Sequence, residues 1–313
     1  MTQEILQVSP LPPFMMNALH EADYIVHDHT HIKDPGALSK VTAIVGTGAA
    51  KVDKKLLMML PQVKLIAICG VGYDGVDVAA AKEKGIVVTH TPGVLTDDVA
   101  DLAFGLLLSI GRRIAQADKF VRNGDWVDDE FALMHQVSGA RLGLVGMGRI
   151  GRAIAKRAAA FDMRIAYCGR EAKADLPYTF YEKVTELAAQ VDYLVVAVPG
   201  GDGTQNLIDA SVLQALGTKG YLINIARGSV VDQPVLVQAL KDKTIAGAAL
   251  DVFWDEPIID PELRRLPNVV LTPHIASATV ETRQAMAALT LGNLQAFYAE
   301  RALLTPVPEC KLI

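Results

Sequence analysis

Short apolar runs alternate along this chain with longer segments in which apolar residues recur at helical spacing. This alternation is typical of βαβ units and predicts parallel sheets covered by helices. The strands predicted in the first half are Glu4–Val8, Tyr24–His27, Ala43–Val45, Leu65–Ile68 and Val87–Thr89. The helices predicted between them include Phe14–Glu21, Lys54–Met59 and Ala79–Lys84. We therefore expect a doubly wound α/β unit in the first hundred residues.

A second series of the same kind begins after residue 140. Its predicted strands are Leu142–Val145, Arg164–Tyr167, Tyr193–Val196, Tyr221–Ile225, Ala246–Leu250 and Val269–Leu271, with a helix at Ile150–Phe161. A last helix, Val280–Tyr298, can return the chain to the first half. We predict two doubly wound α/β domains, one of residues 1–97 with 285–313 and one of residues 98–284.

The segment between the two series, Thr96–Phe120, has the pattern of one long helix. Thr96 suits an N-cap, and Asp97 and Asp98 suit the positive end of the helix dipole. Its apolar stripe is broad, which predicts burial on more than one side. We expect a linker helix that also contributes to a subunit contact.

Composition narrows the classes of protein that this chain can be. Its 313 residues carry a net charge of -5, without a dense run of Lys or Arg, which argues against nucleic acid as a partner. We find neither a signal peptide nor a long apolar span, so we expect no membrane association. The three cysteines, Cys69, Cys168 and Cys310, are far apart, which fits a reducing, cytoplasmic setting.

The pattern G-x-G-x-x-G occurs twice, at Gly70–Gly75 and at Gly146–Gly151, each time between a predicted strand and a predicted helix. In the first loop, Asp74 would repel a diphosphate. The second loop has no acid between its glycines, and Arg149 adds positive charge. We assign the dinucleotide to the second loop, against the alternative of a purely structural glycine turn.

The end of the next predicted strand bears on which dinucleotide is bound. An NAD enzyme commonly presents an acid there to the ribose 2′-hydroxyl, whereas this strand ends in Gly169 and Arg170. A glycine leaves room, and an arginine can pair with a 2′-phosphate, which favours NADPH. The alternative is that Arg170 is only a solvated residue and Glu171 contacts the ribose of NADH.

Reactive residues follow three predicted strands of the second half, in the segments NIARGSVVD, LDVFWDEP and TPHIAS. Ligand sites collect at the carboxyl ends of parallel strands, so Arg227, Asp251, Glu256 and His274 could converge. Taken singly, each of these has an ordinary structural explanation as an ion-pairing, capping or hydrogen-bonded residue. Their joint order after a dinucleotide loop favours catalysis.

With the further motifs VGYDGVD, TDDVADLAFGLLL, RNGDW and GLVGMGRIG, the chain resembles the D-isomer-specific 2-hydroxyacid dehydrogenase family over nearly its whole length. Within that family it looks closest to the glyoxylate/hydroxypyruvate and hydroxyphenylpyruvate reductases. The resemblance implies a flavodoxin-like substrate domain, a Rossmann coenzyme domain, an active site in the cleft and a homodimer formed through the coenzyme domains.

The resemblance also implies roles for individual residues. Arg227 matches the residue that holds the substrate carboxylate and polarises the carbonyl, His274 the acid/base and Glu256 its partner. The backbone N–H groups of Val71 and Gly72 match those that seat the carboxylate. The implied cofactor contacts are Gly146, Gly148, Arg149, Ile150, Gly151, Gly169, Arg170, Val198, Pro199, Thr204, Ile225, Ala226, Arg227, Asp251, His274 and Ala276.

The predicted activity is NADPH-dependent reduction of small 2-keto acids, glyoxylate and hydroxypyruvate, to glycolate and D-glycerate. Two alternatives stay open: an NAD-linked dehydrogenase of another 2-hydroxy acid, such as lactate or an aromatic acid, and a non-catalytic dinucleotide-sensing protein.

The run HDHTH places His27, His29 and His31 at alternate positions, but no partner segment rich in Cys or carboxylates accompanies it. We predict no metal site.

Overall fold

The computed structural model describes residues 3–31, 35–48 and 50–310 of the chain. The chain forms two compact units, one of residues 1–95 with 277–313 and the other of residues 96–276. The boundaries predicted from sequence lie slightly later, at 97/98 and 284/285. Among the described residues, none of the helices combines the length and the apolar character that crossing a bilayer requires.

All of the strands pair in parallel, as a series of βαβ units requires. They are β1 (Glu4–Gln7), β2 (Ile25–Asp28), β3 (Ala43–Thr47), β4 (Leu65–Cys69), β5 (Val87–Thr89), β6 (Arg141–Val145), β7 (Arg164–Cys168), β8 (Thr179–Tyr181), β9 (Tyr193–Val196), β10 (Tyr221–Asn224), β11 (Gly247–Leu250) and β12 (Val269–Leu271).

The helices connect these strands and cover the sheets. They are α1 (Pro13–Glu21), α2 (Lys54–Met58), α3 (Val78–Glu83), α4 (Thr96–Gly111), α5 (Ile114–Asn123), α6 (Arg149–Ala159), α7 (Val184–Ala188), α8 (Ala210–Leu216), α9 (Gln233–Lys241), α10 (Pro261–Arg265) and α11 (Val280–Tyr298). Aspartates cap several of them: the side chains of Asp53, Asp77, Asp209 and Asp232 accept backbone N–H groups in the first turn.

The first unit is built on a sheet with the order β2-β1-β3-β4-β5. This is the flavodoxin-like order, in agreement with the predicted fold class. Successive residues of the central strands point to opposite faces, so that Ile66 packs under one layer and Leu65 under the other. Helix α11 packs on β4 in the second of these layers, which returns the end of the chain to the first unit.

The second unit has the order β12-β11-β10-β9-β6-β7-β8. The chain runs outward from β6 through β7 to β8 and then crosses back to β9 on the other side of β6, as in a Rossmann fold. The predicted α/β class with a Rossmann domain is confirmed. The reversal of strand order lies between β6 and β9, and ligands of such sheets bind at the carboxyl ends of the strands beside that point.

The prediction of one helix over Thr96–Phe120 is wrong, because the structure has α4 and α5 with a break between them. Arg113 adopts a left-handed backbone conformation, with φ of 50°, which interrupts the helical hydrogen-bond ladder. Just before it, Gly111 lies so close to the Tyr193 ring that a Cβ would come within 2.5 Å of its hydroxyl. The guanidinium of Arg113 lies over the ring of Phe131, 5.2 Å from the ring centre. The apolar pattern alone does not reveal this break.

Candidate active site

The loop from Gly146 to Gly151 joins β6 to α6 and uses its three glycines in different ways. Gly146 has φ of 101°, and a Cβ on it would lie 2.5 Å from the carbonyl oxygen of Ala197. A Cβ on Gly151 would lie 2.2 Å from the carbonyl oxygen of Gly146, so only glycine lets the helix pack this closely on the strand. Beside Gly148, in contrast, no atom of the described residues other than its own chain neighbours lies within 4 Å of the Cβ position. That open space is what a pyrophosphate needs for close approach to the backbone.

Helix α6 begins at Arg149, directly after Gly148. The first N–H groups of a helix lack partners inside it, and they carry the positive end of the helix dipole. Arg149 is exposed and Ile150 half-buried at this end. The loop and the helix start therefore offer backbone donors and positive charge to a dinucleotide diphosphate, and the residues fit this group.

The strand after this helix, β7, ends at Cys168, and Gly169 and Arg170 follow. The Cβ position of Gly169 is open, and the Arg170 side chain is exposed. Glu171, the acid that could contact a ribose, lies 2.6 Å from Nζ of Lys173, and the hydrogen bond and charge of Lys173 lower the pKa of Glu171. This loop thus presents Arg170 beside open space, while Lys173 engages the neighbouring carboxylate.

The rest of this loop is fixed at two further points. The backbone N–H of Lys173 donates to the hydroxyl of Tyr167, 2.6 Å away. Both Nη atoms of Arg152, on α6, donate to the Asp175 carboxylate at 2.6 and 3.2 Å. The position of Arg170 is therefore set by a loop tied both to its own strand and to the dinucleotide helix.

The turn after β9 carries Val198, Pro199 and Thr204, which the resemblance implies as cofactor contacts. Val198 packs against the buried core of the second unit. The Thr204 hydroxyl donates to the carbonyl of Pro199 at 2.7 Å, which closes the glycine-rich segment between them. This bond gives the PGGDGT stretch a defined shape.

Arg227 follows β10 at the carboxyl edge of the same sheet, and Ile225 and Ala226 before it are buried. The buried Asn224 side chain shapes the turn: its Oδ1 accepts the N–H of Ala226 at 3.0 Å, and its Nδ2 donates to the carbonyl of Arg227 at 2.9 Å. Nη1 of Arg227 donates to the carbonyl of Ala226 at 2.7 Å. The guanidinium is thereby held near its own backbone at the strand end.

Glu256 and His274 form a direct pair. Oε2 of Glu256 lies 2.6 Å from Nδ1 of His274, and Oε1 accepts the N–H of Phe253 at 2.9 Å. Burial acts to raise the pKa of Glu256, but the hydrogen bond and charge of His274, with Phe253 and Arg227, outweigh it and leave that pKa below its ordinary value. Because an ionised carboxylate only accepts, Nδ1 carries a proton and Nε2 is the nitrogen left for chemistry.

Asp251 supports the segment that carries His274. Its carboxylate is buried, and it accepts hydrogen bonds from the hydroxyl of Thr272 at 2.6 Å and from the backbone N–H groups of Ile275 and Ala276, both at 2.9 Å. His274 itself has φ of 53°, a left-handed conformation that costs energy for a residue with a side chain. These three bonds compensate for that strain. A contact of Asp251 with the cofactor stays a prediction.

Sequence reasoning did not single out two residues that shape this site, Asn224 and Gly228. A Cβ on Gly228 would lie 2.0 Å from the carbonyl carbon of Phe253, so glycine is needed where the Arg227 turn meets the segment leading to Glu256. Both residues lie within three positions of Arg227. The sequence does carry a signal for each: Asn224 is a polar residue at the end of a buried strand, and Gly228 directly follows Arg227.

Val71 and Gly72, the predicted carboxylate donors, lie in the first unit, directly after β4 and Gly70. The carbonyl of Gly70 accepts the N–H of Thr91 at 2.8 Å, and the carbonyl of Val71 lies 3.0 Å from Nδ1 of His90. The Gly70–Val71 and Val71–Gly72 peptide groups are therefore held at the carboxyl edge of the first sheet.

In the histidine run at the end of β2, His27 contacts a carboxylate. Nε2 of His27 lies 2.8 Å from a carboxylate oxygen of Glu4 on the neighbouring strand. Within the described ranges, no group of three or more His, Cys, Asp or Glu side chains is placed to hold a metal ion.

Comparisons with known proteins agree with this architecture. Residues 104–276 match the model of the D-isomer specific 2-hydroxyacid dehydrogenase, NAD binding domain. The chain is 45% identical to glyoxylate/hydroxypyruvate reductase A of Arabidopsis thaliana, over 97% of this chain and 98% of that relative. It is 49% identical to the hydroxyphenylpyruvate reductase of Plectranthus scutellarioides, over 85% of each chain.

A solved structure is similar over nearly the full length. It is the NADPH-dependent glyoxylate/hydroxypyruvate reductase of Sinorhizobium meliloti in complex with NADP and malonate, with a TM-score of 0.92, 42% identity, and coverage of 99% of this chain and 98% of that one. The fold, the dinucleotide loop, the paired glutamate and histidine and these matches together identify the chain as a member of the D-isomer specific 2-hydroxyacid dehydrogenase family of NAD(P)-dependent oxidoreductases.

Proposed function

We propose that this protein reduces glyoxylate and hydroxypyruvate to glycolate and D-glycerate, with NADPH as the preferred reductant. The observation that carries the proposal is the Glu256–His274 pair, which lies beyond a dinucleotide loop in the same sheet and shares its electrostatic environment with Arg227. Relatives named as glyoxylate or hydroxypyruvate reductases support the choice of substrate.

In the proposed reaction, His274, Glu256 and Arg227 have different roles. When bound, a reduced nicotinamide would supply the hydride that converts the C2 carbonyl of the substrate to an alkoxide. Nε2 of His274 then donates its proton to the alkoxide oxygen, and the Glu256 carboxylate stabilises the imidazolium before that transfer. Arg227 offers a planar cationic fork to the substrate carboxylate and carbonyl oxygen, joined in this proposal by the N–H groups of Val71 and Gly72.

The preference for NADPH rests on the loop after β7. Arg170 is exposed beside the open side of Gly169, where a 2′-phosphate would find both space and charge. Glu171, which would repel a phosphate and suit a ribose hydroxyl, is paired with Lys173. The similar enzyme of Sinorhizobium meliloti is named as NADPH-dependent, which supports the same choice here.

Product analysis with a catalytic variant tests the proposal. The parent protein, supplied with NADPH and hydroxypyruvate, should form glycerate of the D configuration, identified by chiral chromatography. His274→Gln should fold and bind NADPH but lose activity by roughly 100-fold or more, as expected for loss of a general acid. Formation of L-glycerate, or an unimpaired His274→Gln enzyme, would contradict the assigned roles.

An aromatic 2-keto acid is a second candidate substrate. The relative from Plectranthus scutellarioides, which is 49% identical, is named as a hydroxyphenylpyruvate reductase. A higher kcat/KM for hydroxyphenylpyruvate than for hydroxypyruvate would select this candidate. The catalytic roles of Arg227, Glu256 and His274 are the same in both cases.

We also propose that two copies associate through the second unit. Among the described residues, α5 buries none of its side chains, and large apolar residues stay exposed on it and just beyond it, namely Ile114, Val121, Trp126, Val127 and Leu133. A second copy of this chain would remove that apolar surface from water. Light scattering should give a dimer for the parent and a monomer for Trp126→Glu. Met58→Glu, an exposed apolar site in the first unit, is the matched control and should stay dimeric.

We propose a cytoplasmic location. All three cysteines are free thiols and all are buried, although disulfides are common where the environment is oxidising. Fractionation of cells that express a tagged copy tests this location: the protein should appear with cytoplasmic markers, and recovery with a secreted or membrane fraction would contradict it.

A further inference from the structure

The Gly70–Val71 and Val71–Gly72 peptide groups each accept a hydrogen bond from one of two consecutive residues that directly follow β5. Thr91 N–H donates to the carbonyl of Gly70 at 2.8 Å, and Nδ1 of His90 lies 3.0 Å from the carbonyl oxygen of Val71. A carbonyl oxygen only accepts, so Nδ1 of His90 carries a proton and donates it. One bond comes from the backbone and the other from a side chain.

These carbonyls belong to the same peptide groups as the N–H donors of the proposed carboxylate site. The Gly70 carbonyl shares a peptide plane with the N–H of Val71, and the Val71 carbonyl shares one with the N–H of Gly72. In a planar trans peptide the C=O and N–H point in opposite directions. Fixing each carbonyl toward residues 90 and 91 therefore aims each N–H away from them.

His90 is itself firmly positioned. Its backbone N–H donates to the carbonyl of Thr305 at 3.1 Å, and its own carbonyl accepts the Thr305 hydroxyl. The buried Asn293 side chain holds Thr305 by accepting its N–H at 3.0 Å and donating to its hydroxyl at 2.8 Å. The Tyr73 ring meets the imidazole edge-on, with 5.3 Å between ring centres. The imidazole is thus a fixed donor.

We propose that His90 is a positioning residue for substrate binding: its Nδ1–H fixes the Val71–Gly72 peptide so that the Gly72 N–H is aimed at the substrate carboxylate. The hydrogen bond also polarises that peptide, which makes its N–H a stronger donor. This inference rests on the proposed function, in which Val71 and Gly72 bind the carboxylate. It adds a residue that does not itself touch the substrate.

Substitutions of matched shape separate this role from packing. Nδ2 of asparagine occupies nearly the position of Nδ1 of histidine, so His90→Asn keeps a donor. His90→Asp has the same size but presents only acceptors, and His90→Phe keeps a ring against Tyr73 without a donor. We expect His90→Asn to keep the KM for glyoxylate within about threefold of the parent, and the other two to raise it by about tenfold or more, the effect of one lost hydrogen bond to a charged group.

A merely structural role would move other quantities instead. In our proposal, kcat and the KM for NADPH change by less than about threefold in His90→Phe, while the inhibition constant of oxamate, a carboxylate analogue, rises with the KM for glyoxylate. Calorimetric titration of oxamate into the NADPH-bound protein compares the affinities of the variants for a carboxylate in the absence of turnover. If His90→Phe does not fold, the comparison of His90→Asn with His90→Asp still tests the role of the donor.

Equal KM values in the parent, His90→Asp and His90→Phe would overturn the proposal. So would an equal rise in all three variants, because asparagine then fails to substitute for the donor. Failure of the proposed function gives a different result, because the parent itself would then reduce no 2-keto acid. The oxamate affinities of the His90 variants would still show whether His90 positions the carboxylate site.

Discussion

Nδ1 of His274 lies 2.6 Å from Oε2 of Glu256, and this contact leaves Nε2 as the imidazole nitrogen available for the proposed proton transfer. Since the pKa of Glu256 is below its ordinary value, its carboxylate stays ionised throughout the neutral range. The ionised carboxylate accepts the Nδ1 proton and leaves Nε2 as the nitrogen from which, in the proposed reaction, a proton reaches the substrate.

Glu256→Gln should remove a pH dependence from stability and lower activity. The pKa of Glu256 is below its ordinary value, so the stability that the ionised carboxylate contributes is present at neutral pH and is lost as the pH falls through that lowered pKa. Glu256→Gln should therefore lower the free energy of unfolding at pH 7 more than in acid, which denaturant titration at several pH values measures. The amide can still accept the Nδ1 proton but lacks the charge, so kcat/KM for glyoxylate reduction should fall by about tenfold or more. Unchanged stability and unchanged kcat/KM would contradict the role of the Glu256 carboxylate.

The glycines of the dinucleotide loop offer a matched pair of substitutions. Gly148→Ala places a methyl group in open space, so the free energy of unfolding should change little, whereas dinucleotide binding should fall by at least about tenfold because the methyl group occupies the diphosphate's approach. Gly151→Ala drives a Cβ into the Gly146 carbonyl and should destabilise the unit by about 2 kcal/mol or more. Thermal unfolding and fluorescence titration with NADPH measure both effects. The assignment of this loop fails if Gly148→Ala binds NADPH as tightly as the parent.

Cofactor selectivity should depend on Arg170. Arg170→Ala should raise the KM for NADPH by about 10- to 100-fold, the range for loss of a charged hydrogen bond, and leave the KM for NADH almost unchanged. Lys183→Ala removes a cation of the same unit that pairs with Glu186, and it serves as the control for net charge. Parallel losses with both cofactors would mean that Arg170 does not contact the 2′-phosphate.

The neighbouring ion pair contributes to this selectivity. Lys173→Met leaves the Glu171 carboxylate without its nearest cation, and the selectivity for NADPH over NADH should fall several-fold because that charge then repels the phosphate. Adding Glu171→Gln should restore the selectivity. If the double variant is no better than Lys173→Met, Lys173 acts on the cofactor directly and not through Glu171.

Asp251→Asn tests the support of the His274 segment. An amide cannot accept all three hydrogen bonds, so its NH₂ must face at least one buried donor, which should cost about 1–3 kcal/mol of unfolding free energy. Thr272→Val removes one of these bonds and should cost less. If Asp251 only positions the His274 segment, Asp251→Asn should lower kcat, whereas loss of the implied cofactor contact should raise the KM for NADPH. Unchanged stability and unchanged kinetics in Asp251→Asn would contradict both roles.

Much of the fold could be predicted from the sequence because its signals are local. Buried parallel strands such as Leu142–Val145 stand out as apolar runs between glycine-rich turns, and the glycine spacing marks the strand-to-helix turn that follows. The break at Arg113 could not be predicted, since a left-handed backbone conformation at an arginine has no signal in the apolar pattern. The edge strand β8 was missed because it has only three residues, none of them fully buried.

For the candidate site, sequence motifs predicted the residues but not the contacts that support them. The order of NIARG, DEP and PHIAS predicted that Arg227, Glu256 and His274 share one sheet edge, through the rule for strand ends. The three bonds from Asp251 to the His274 segment and the contact between Gly228 and Phe253 join residues more than twenty positions apart. Only the fold brings such pairs together.

The central claim is that this chain is an NADPH-preferring reductase of small 2-keto acids. The most direct test is the decrease in absorbance of NADPH and of NADH, in parallel, with glyoxylate, hydroxypyruvate, pyruvate and phenylpyruvate. We predict the highest kcat/KM for NADPH with glyoxylate or hydroxypyruvate. A preference for NADH would contradict the role of Arg170, and oxidation of neither cofactor with any of the four acids would contradict the proposed activity itself.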